Sequence, residues 1–178
     1  LHFQDDPKDV RAYSMASSPF EKGSIEITLN LMGEFTRKMF DLKAGDSLEL
    51  KGPYGKWVYT DDIKQAALIS DGTGIAPYRS MARYALAKRL PNKLMIFDSA
   101  ENSSDIIYKN ELAEFEKAGI KVRHGHPSLD LLTREVPDFT STTYFLCGSK
   151  TLIDGLSSGL LAKGIPKAHI HYEKWGDY

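Results

Sequence analysis

The spacing of apolar positions changes near residue 60, and the two spacings predict two architectures. Before that point, apolar and polar residues alternate over short runs bounded by turn formers. Leu1-His2-Phe3-Gln4 alternates from the first residue, as a chain does inside a strand. Arg11–Ser14 predicts a short strand running into a turn at Ser17-Ser18-Pro19, and Gly23–Leu29 and Ser47–Leu50 alternate as half-buried strands do. Gly33-Glu34-Phe35-Thr36 breaks the pattern, and Arg37–Phe40 predicts a short helix capped by Thr36 or a neighbour. Gly52-Pro53-Tyr54-Gly55-Lys56-Trp57 is a run of turn signals. Short strands joined by such turns predict a small barrel or sandwich.

From about Ile63 the chain alternates apolar strands with helical stripes. The strands are Ala66–Ile69, Leu94–Phe97, Ile120–Arg123, Thr143–Leu146 and Ala168–Tyr172. Between them, Tyr78, Met81, Ala82 and Ala85 stripe one helix, and Tyr108, Leu112 and Phe115 mark a second. Leu129–Val136 is a short helix closed by Pro137, and Leu152, Leu156 and Leu160 stripe a last one that Gly164 ends. Repeated β-α units with right-handed crossovers give a parallel, doubly wound, five-stranded sheet. The polar Thr60-Asp61-Asp62 sets the boundary, giving domains at 1–60 and 61–178.

Chemistry concentrates in Ala66–Tyr78, AALISDGTGIAPY. A buried strand ends in Gly72-Thr73-Gly74, and Pro77 suits the first turn of the helix that follows. Such a turn aims unpaired N–H groups at one point, an anion site whose expected guest is a pyrophosphate. The residues read G-x-G-x-x-P, and a tight strand-to-helix turn holding no ligand would use them equally well. Asp71, just before the glycines, would repel a pyrophosphate unless it points away. Cys147 ends a strand beside the switch region where open α/β sheets bind ligands.

Composition narrows the function classes. The 178 residues are 42% hydrophobic and 26% charged, ordinary for a globular protein, with a net charge of −1. Without a basic stripe, nucleic acid is not expected as a partner. No apolar run reaches the length of a membrane span, and the start does not read as a signal peptide. The single cysteine excludes an intrachain disulfide and a cysteine-ligated cluster, and fits a cytoplasmic setting. His124-Gly125-His126 and His169-Ile170-His171 each put two imidazoles on one side of a strand, but no third metal ligand is indicated.

Several local motifs occur together and in order. Arg11-Ala12-Tyr13-Ser14-Met15-Ala16-Ser17 resembles the R-x-Y-S-x-x-S flavin motif of the ferredoxin–NADP reductase superfamily. Gly33-Glu34-Phe35-Thr36 is similar to that family's second flavin-phosphate turn, and Gly52-Pro53-Tyr54-Gly55 to its G-P-x-G corner. Gly72-Thr73-Gly74-Ile75-Ala76-Pro77 resembles its nucleotide loop, Cys147-Gly148 its C-G motif, and Glu173-Lys174-Trp175 its E-x-aromatic end.

The resemblance implies a fold: an antiparallel β-barrel flavin domain, N-terminally incomplete here, followed by the α/β nucleotide domain. It also implies roles. Arg11 would pair with a flavin phosphate, Tyr13 lie on the isoalloxazine ring, and Ser14 donate towards the flavin N5. The backbone of Gly33 and Phe35, with the Thr36 hydroxyl, would hold the flavin pyrophosphate, and Ser17 completes the first motif. Gly72, Thr73, Gly74 and Pro77 would bind the nucleotide. The Cys147 thiol, beside Gly148, would contact nicotinamide without acting as a nucleophile. Glu173 would orient the reacting pair and Ser14, and Trp175 would cover the other flavin face.

The implied cofactor is FAD rather than FMN, with NADH or NADPH as hydride donor. Asp98 and Glu101, in an acidic stretch without arginine after the second strand, favour NADH, although Arg123 follows the third strand. With no cluster of its own, the chain is expected to pass electrons to a ferredoxin, an oxygenase component or another redox protein. The alternatives are a reductase of free flavin, ferric chelates or quinones, and a non-catalytic module that keeps the fold without flavin.

Overall fold

The computed structural model describes residues 1–55, 57–100 and 102–174. Its organising element is a five-stranded, all-parallel sheet in the order β3-β2-β1-β4-β5. The strands are β1 (Gln65–Ser70), β2 (Lys93–Asp98), β3 (Lys121–His124), β4 (Thr143–Gly148) and β5 (Ile170–Lys174). All six residues of β1 are buried, as expected for a central strand covered on both faces. The helices are α1 (Glu34–Asp41), α2 (Ile75–Ala87), α3 (Lys109–Lys117), α4 (Leu129–Glu135) and α5 (Lys150–Ala162).

Two apolar layers enclose the sheet. On one face Leu68, Ile96, Val122 and Phe145 meet Tyr78 of α2 and Leu112 of α3. On the other, Ile69, Phe97 and Leu146 meet Leu132 of α4 and Leu156 and Leu160 of α5. Trp57 and Tyr59 join the first layer, with ring centroids 5.7 Å and 6.4 Å from that of Phe145. The five expected strands and four expected helices of this region are present. β5 starts at Ile170 rather than Ala168, because Lys167–His169 form a 3-10 turn after Pro166.

The first 58 residues depart from the expected strands. The segments Arg11–Ser14, Gly23–Leu29 and Ser47–Leu50 run into no ladder among the described residues. Single antiparallel bridges join His2 to Glu49 and Met15 to Ile27 instead. The physical reason is one of cover: Ile25 and Leu50 of the alternating runs are half exposed or more, so no packed face enforces a register. The helix expected at Arg37–Phe40 begins earlier, at Glu34, with Gly33 as N-cap. Thr36 is its third residue, and its hydroxyl accepts the backbone N–H of Met32 (2.8 Å) and Gly33 (3.0 Å). This is the return half of a capping box.

Candidate functional site

The carboxyl ends of the strands meet in one row. Ladder register pairs His124 with Asp98, Asp98 with Ser70, Ser70 with Cys147, and Cys147 with Glu173. Register partners in a parallel sheet point to the same face. Cys147 identifies that face as the one covered by α2. The strand order reverses between β1 and β4, so Ser70 and Cys147 flank the switch point where α/β sheets bind ligands.

Between β1 and α2 the chain makes a 3-10 turn, Gly72–Gly74, in which Gly72 takes φ +48°. Gly72 is exposed and Thr73 half-buried, whereas Gly74 to Arg79 are buried. Pro77 is the third residue of α2, where an N–H has no intrahelical acceptor to lose. Asp71 points away from this loop. Its carboxylate accepts from the Ser149 N–H (2.8 Å) and hydroxyl (2.5 Å), at the start of α5. The expected repulsion of a pyrophosphate is thereby turned aside, and the two loops of the switch point are tied together. Gly148 makes room for the tie: a Cβ there would lie 1.8 Å from Asp71 Oδ1, and φ is +149°.

Beneath the turn, Tyr78 is fully buried, its hydroxyl 2.6 Å from the Phe145 carbonyl and 3.0 Å from that of Ile69. Burial, and then the neighbouring Cys147, push its pKa well up, so it serves as a neutral donor. Asp98 is also buried, with His124 Nδ1 3.4 Å from its carboxylate. Burial raises the Asp98 pKa, and His124 opposes the rise. The Ser70 hydroxyl is buried without a hydrogen-bond partner among the described residues. Such a group calls for a ligand or a water.

The N-terminal segment brings a second group of side chains together. The Ser14 hydroxyl donates to Glu173 Oε2 at 3.1 Å, across 159 positions of sequence. Next to Ser14 in sequence, Tyr13 stacks on Phe35 with ring centroids 6.3 Å apart, and Phe3 packs edge-on against Phe35 at 5.1 Å. The Arg11 guanidinium lies 5.5 Å from the Phe35 centroid and pairs with Asp9. Gly33 and Thr36 sit at the start of α1, whose first-turn N–H groups lie beside this cluster. The Thr36 hydroxyl is engaged in the turn, so any anion there meets the backbone first. Ser17 stands apart: its hydroxyl accepts from the Glu26 N–H (3.0 Å) and its carbonyl from the Ser80 hydroxyl (2.7 Å). Trp175 and Glu101 lie outside the described residues.

Sequence reasoning missed Ser149, Ser70 and an ionic cluster on α2. Arg79 and Arg83 both donate to Glu111 of α3, and reach Glu26 and Glu21 respectively. The available signal was the i, i+4 spacing of two arginines beside an apolar stripe. Among the described residues there is no group of three or more potential metal ligands, and no helix is long and apolar enough to cross a membrane.

Two family models match the chain in this same order. Residues 1–59 match the oxidoreductase FAD-binding domain and residues 68–157 the oxidoreductase NAD-binding domain. The chain belongs to the ferredoxin–NADP reductase superfamily. Within the superfamily, it is 30% identical over 176 residues to NADH-cytochrome b5 reductase 2-A of Vanderwaltozyma polyspora, covering 90% of this chain and 53% of that protein. It is 25% identical over 192 residues to the propane 2-monooxygenase reductase component of Rhodococcus jostii, covering 94% and 52%. The chain thus spans about half the length of these curated relatives. In fold it resembles the ferredoxin–NADP+ reductase of Plasmodium falciparum, with a TM-score of 0.80 at 20% identity, over 93% of this chain and 77% of the other. Both expected units, a flavin domain and a five-stranded nucleotide domain, are those of the superfamily.

Proposed function

We propose that this chain takes hydride from NADH onto FAD and passes the electrons to a separate redox protein, with residues 1–60 as the flavin unit and 61–178 as the nucleotide unit. The observation that carries the reading is the Ser14–Glu173 hydrogen bond. It joins the flavin-motif serine to a register row that also holds Cys147.

The residues present fit both groups. For a dinucleotide, the Gly72–Gly74 turn lets a backbone approach closely, and the buried Ser70 hydroxyl still seeks a partner. For a flavin, Arg11, Tyr13 and the first turn of α1 offer a cation, a ring face and backbone donors in one place. When bound, a flavin supplies the step from two-electron to one-electron chemistry. Ser14 holds a hydroxyl proton at the flavin unit's edge, and Glu173 fixes where that proton points. Tyr13 offers a stacking face and Arg11 a charge for a phosphate. Cys147, buried at the end of β4, shapes the nicotinamide end of the crevice. Asp71, held by Ser149, leaves the glycine turn open to an anion.

NADH is the proposed donor because β2 ends in a carboxylate, Asp98, buried beside His124, and Arg123 of β3 is engaged by Glu135 at 3.2 Å. A free ribose diol suits a carboxylate, and a 2′-phosphate suits an unengaged arginine. A separate acceptor protein is proposed because relatives that align over 94% of this chain include the propane 2-monooxygenase and glycine betaine monooxygenase reductase components.

The test is the visible spectrum of the full chain after addition of FAD, followed by anaerobic NADH or NADPH. The expected result is a flavin band that NADH bleaches in preference to NADPH. A colourless protein, or a flavin band that neither nucleotide bleaches, would overturn the assignment.

A further inference from the structure

Helix α2 carries two features on successive turns. Its N-terminus, capped by Gly74, borders the crevice. One turn later, Arg79, Ser80 and Arg83 face the N-terminal segment. Arg79 is 6% exposed, and its guanidinium is engaged through Nε and Nη1 and by an aromatic ring. Nη1 donates to the Ala16 carbonyl at 3.0 Å and to Glu26, and Nε donates to Glu111 at 2.6 Å. The guanidinium carbon sits 4.6 Å from the centroid of Tyr108, whose hydroxyl bonds Thr28. Ala16, itself fully buried, donates its N–H to the Glu26 carbonyl at 2.7 Å. The neighbouring Ser80 hydroxyl holds the Ser17 carbonyl.

A partly buried ion network of this kind is a poor means of gaining stability, because desolvation of the buried arginine cancels much of the attraction. What it fixes is geometry: a planar fork with five donors has few ways to satisfy three elements at once. Ala16 lies two residues beyond Ser14, and Arg79 lies five beyond Gly74. We infer that Arg79 is a positioning residue that locks α2 to the Ser14–Ser17 segment and so sets the approach of the nicotinamide end of the crevice to the flavin edge. It touches neither group itself. The inference rests on the function proposed above.

The experiment compares full-length wild type with Arg79→Lys, Arg79→Gln and Glu26→Gln. Without flavin, hydrogen–deuterium exchange of the Ala16 amide is expected to quicken ~10-fold in Arg79→Gln, with β1 and β4 amides unchanged. With FAD bound, single-turnover bleaching by NADH is expected to slow ~10- to 100-fold at saturation, as a misplacement of about 1 Å does. The half-saturating NADH concentration and the flavin content stay within about 2-fold in this account, because Arg79 binds neither. Arg79→Lys keeps the charge but not the fork, and is expected to recover only part of the rate.

An unchanged limiting rate would overturn the inference. So would a fall in rate matched by lost nucleotide or flavin affinity, full recovery in Arg79→Lys, or Ala16 exchange identical to wild type. If Arg79→Gln does not fold, Glu26→Gln, which removes one anion at a half-exposed site, carries the same comparison. A wild type that NADH and NADPH both fail to bleach refutes the proposed function, whereas the exchange measurement still reads the lock.

Discussion

Replacing Gly148 by alanine should unsettle the switch point, and the structure lets the cost be divided. The residue has φ +149°, a conformation that an L side chain enters at about 1–3 kcal/mol. Its new methyl would lie 1.8 Å from Asp71 Oδ1, so the carboxylate must swing out and release both bonds from Ser149. A hydrogen bond to a charged group contributes about 1.5–3 kcal/mol, and the partial exposure of Asp71 places this tie near the lower end. Gly148→Ala should therefore cost about 2.5–5 kcal/mol in all. In an Asp71→Gly background the tie is already lost, while the backbone strain and a 3.2 Å approach of the new methyl to the backbone nitrogen at position 71 remain, so the same change should cost about 1–3 kcal/mol. Urea unfolding of the four proteins gives the coupling, expected at roughly 1.5–2 kcal/mol, provided the m-values agree. Equal costs in the two backgrounds would show that Asp71 does not fill the space above Gly148.

Three further perturbations bear on other parts of the molecule. Tyr78→Phe removes a buried hydroxyl that lies against the β1 and β4 carbonyls, and should cost about 1–1.5 kcal/mol in urea unfolding with flavin content unchanged. Phe145→Ala removes a fully buried ring stacked on His171 at 4.9 Å and flanked by Trp57, and should cost about 3–5 kcal/mol with a shift in tryptophan emission. Lys121, then Arg123 and Arg134, hold the Glu135 carboxyl down to about 2, below its ordinary 4.5. The stability this adds is complete above pH 4.5 and lost as pH falls through about 2. Wild type and Glu135→Gln should then converge in stability at the acid end and separate above pH 4.5, as acid-titrated urea curves would report.

The parallel sheet was legible because its three central strands, β2, β1 and β4, are covered on both faces. Runs such as Thr143–Leu146 need no partner to announce burial, and their helices carry clean stripes. The N-terminal strands were legible only as alternation. Whether Ile25 or Leu50 enters a ladder depends on cover from outside the run, which local pattern does not encode. The glycine turn and its helix could be read directly, but the direction of Asp71 could not. Its partner Ser149 is 78 residues away and reaches it only through the β1–β4 pairing. The same holds for the row from His124 to Glu173. Each member can be picked out locally, whereas their alignment is set by strand register, which the crossover helices determine. Thr36 marks a different case: its hydroxyl accepts from the backbone N–H groups at the start of its own helix, a bond set by local sequence alone.

The bond from Ser14 to Glu173 also has a consequence for the order of assembly. β5 pairs with β4 alone among the described strands, and it is the last of the five to leave the ribosome. Contacts that close a separation as long as 159 positions are the slow kind in general, because their loop entropy is lost before they form. A nascent chain can thus complete its glycine turn and most of its sheet while the serine hydroxyl still lacks its carboxylate. On the proposed function, the join between the flavin unit and the nucleotide unit then waits on the docking of the last strand.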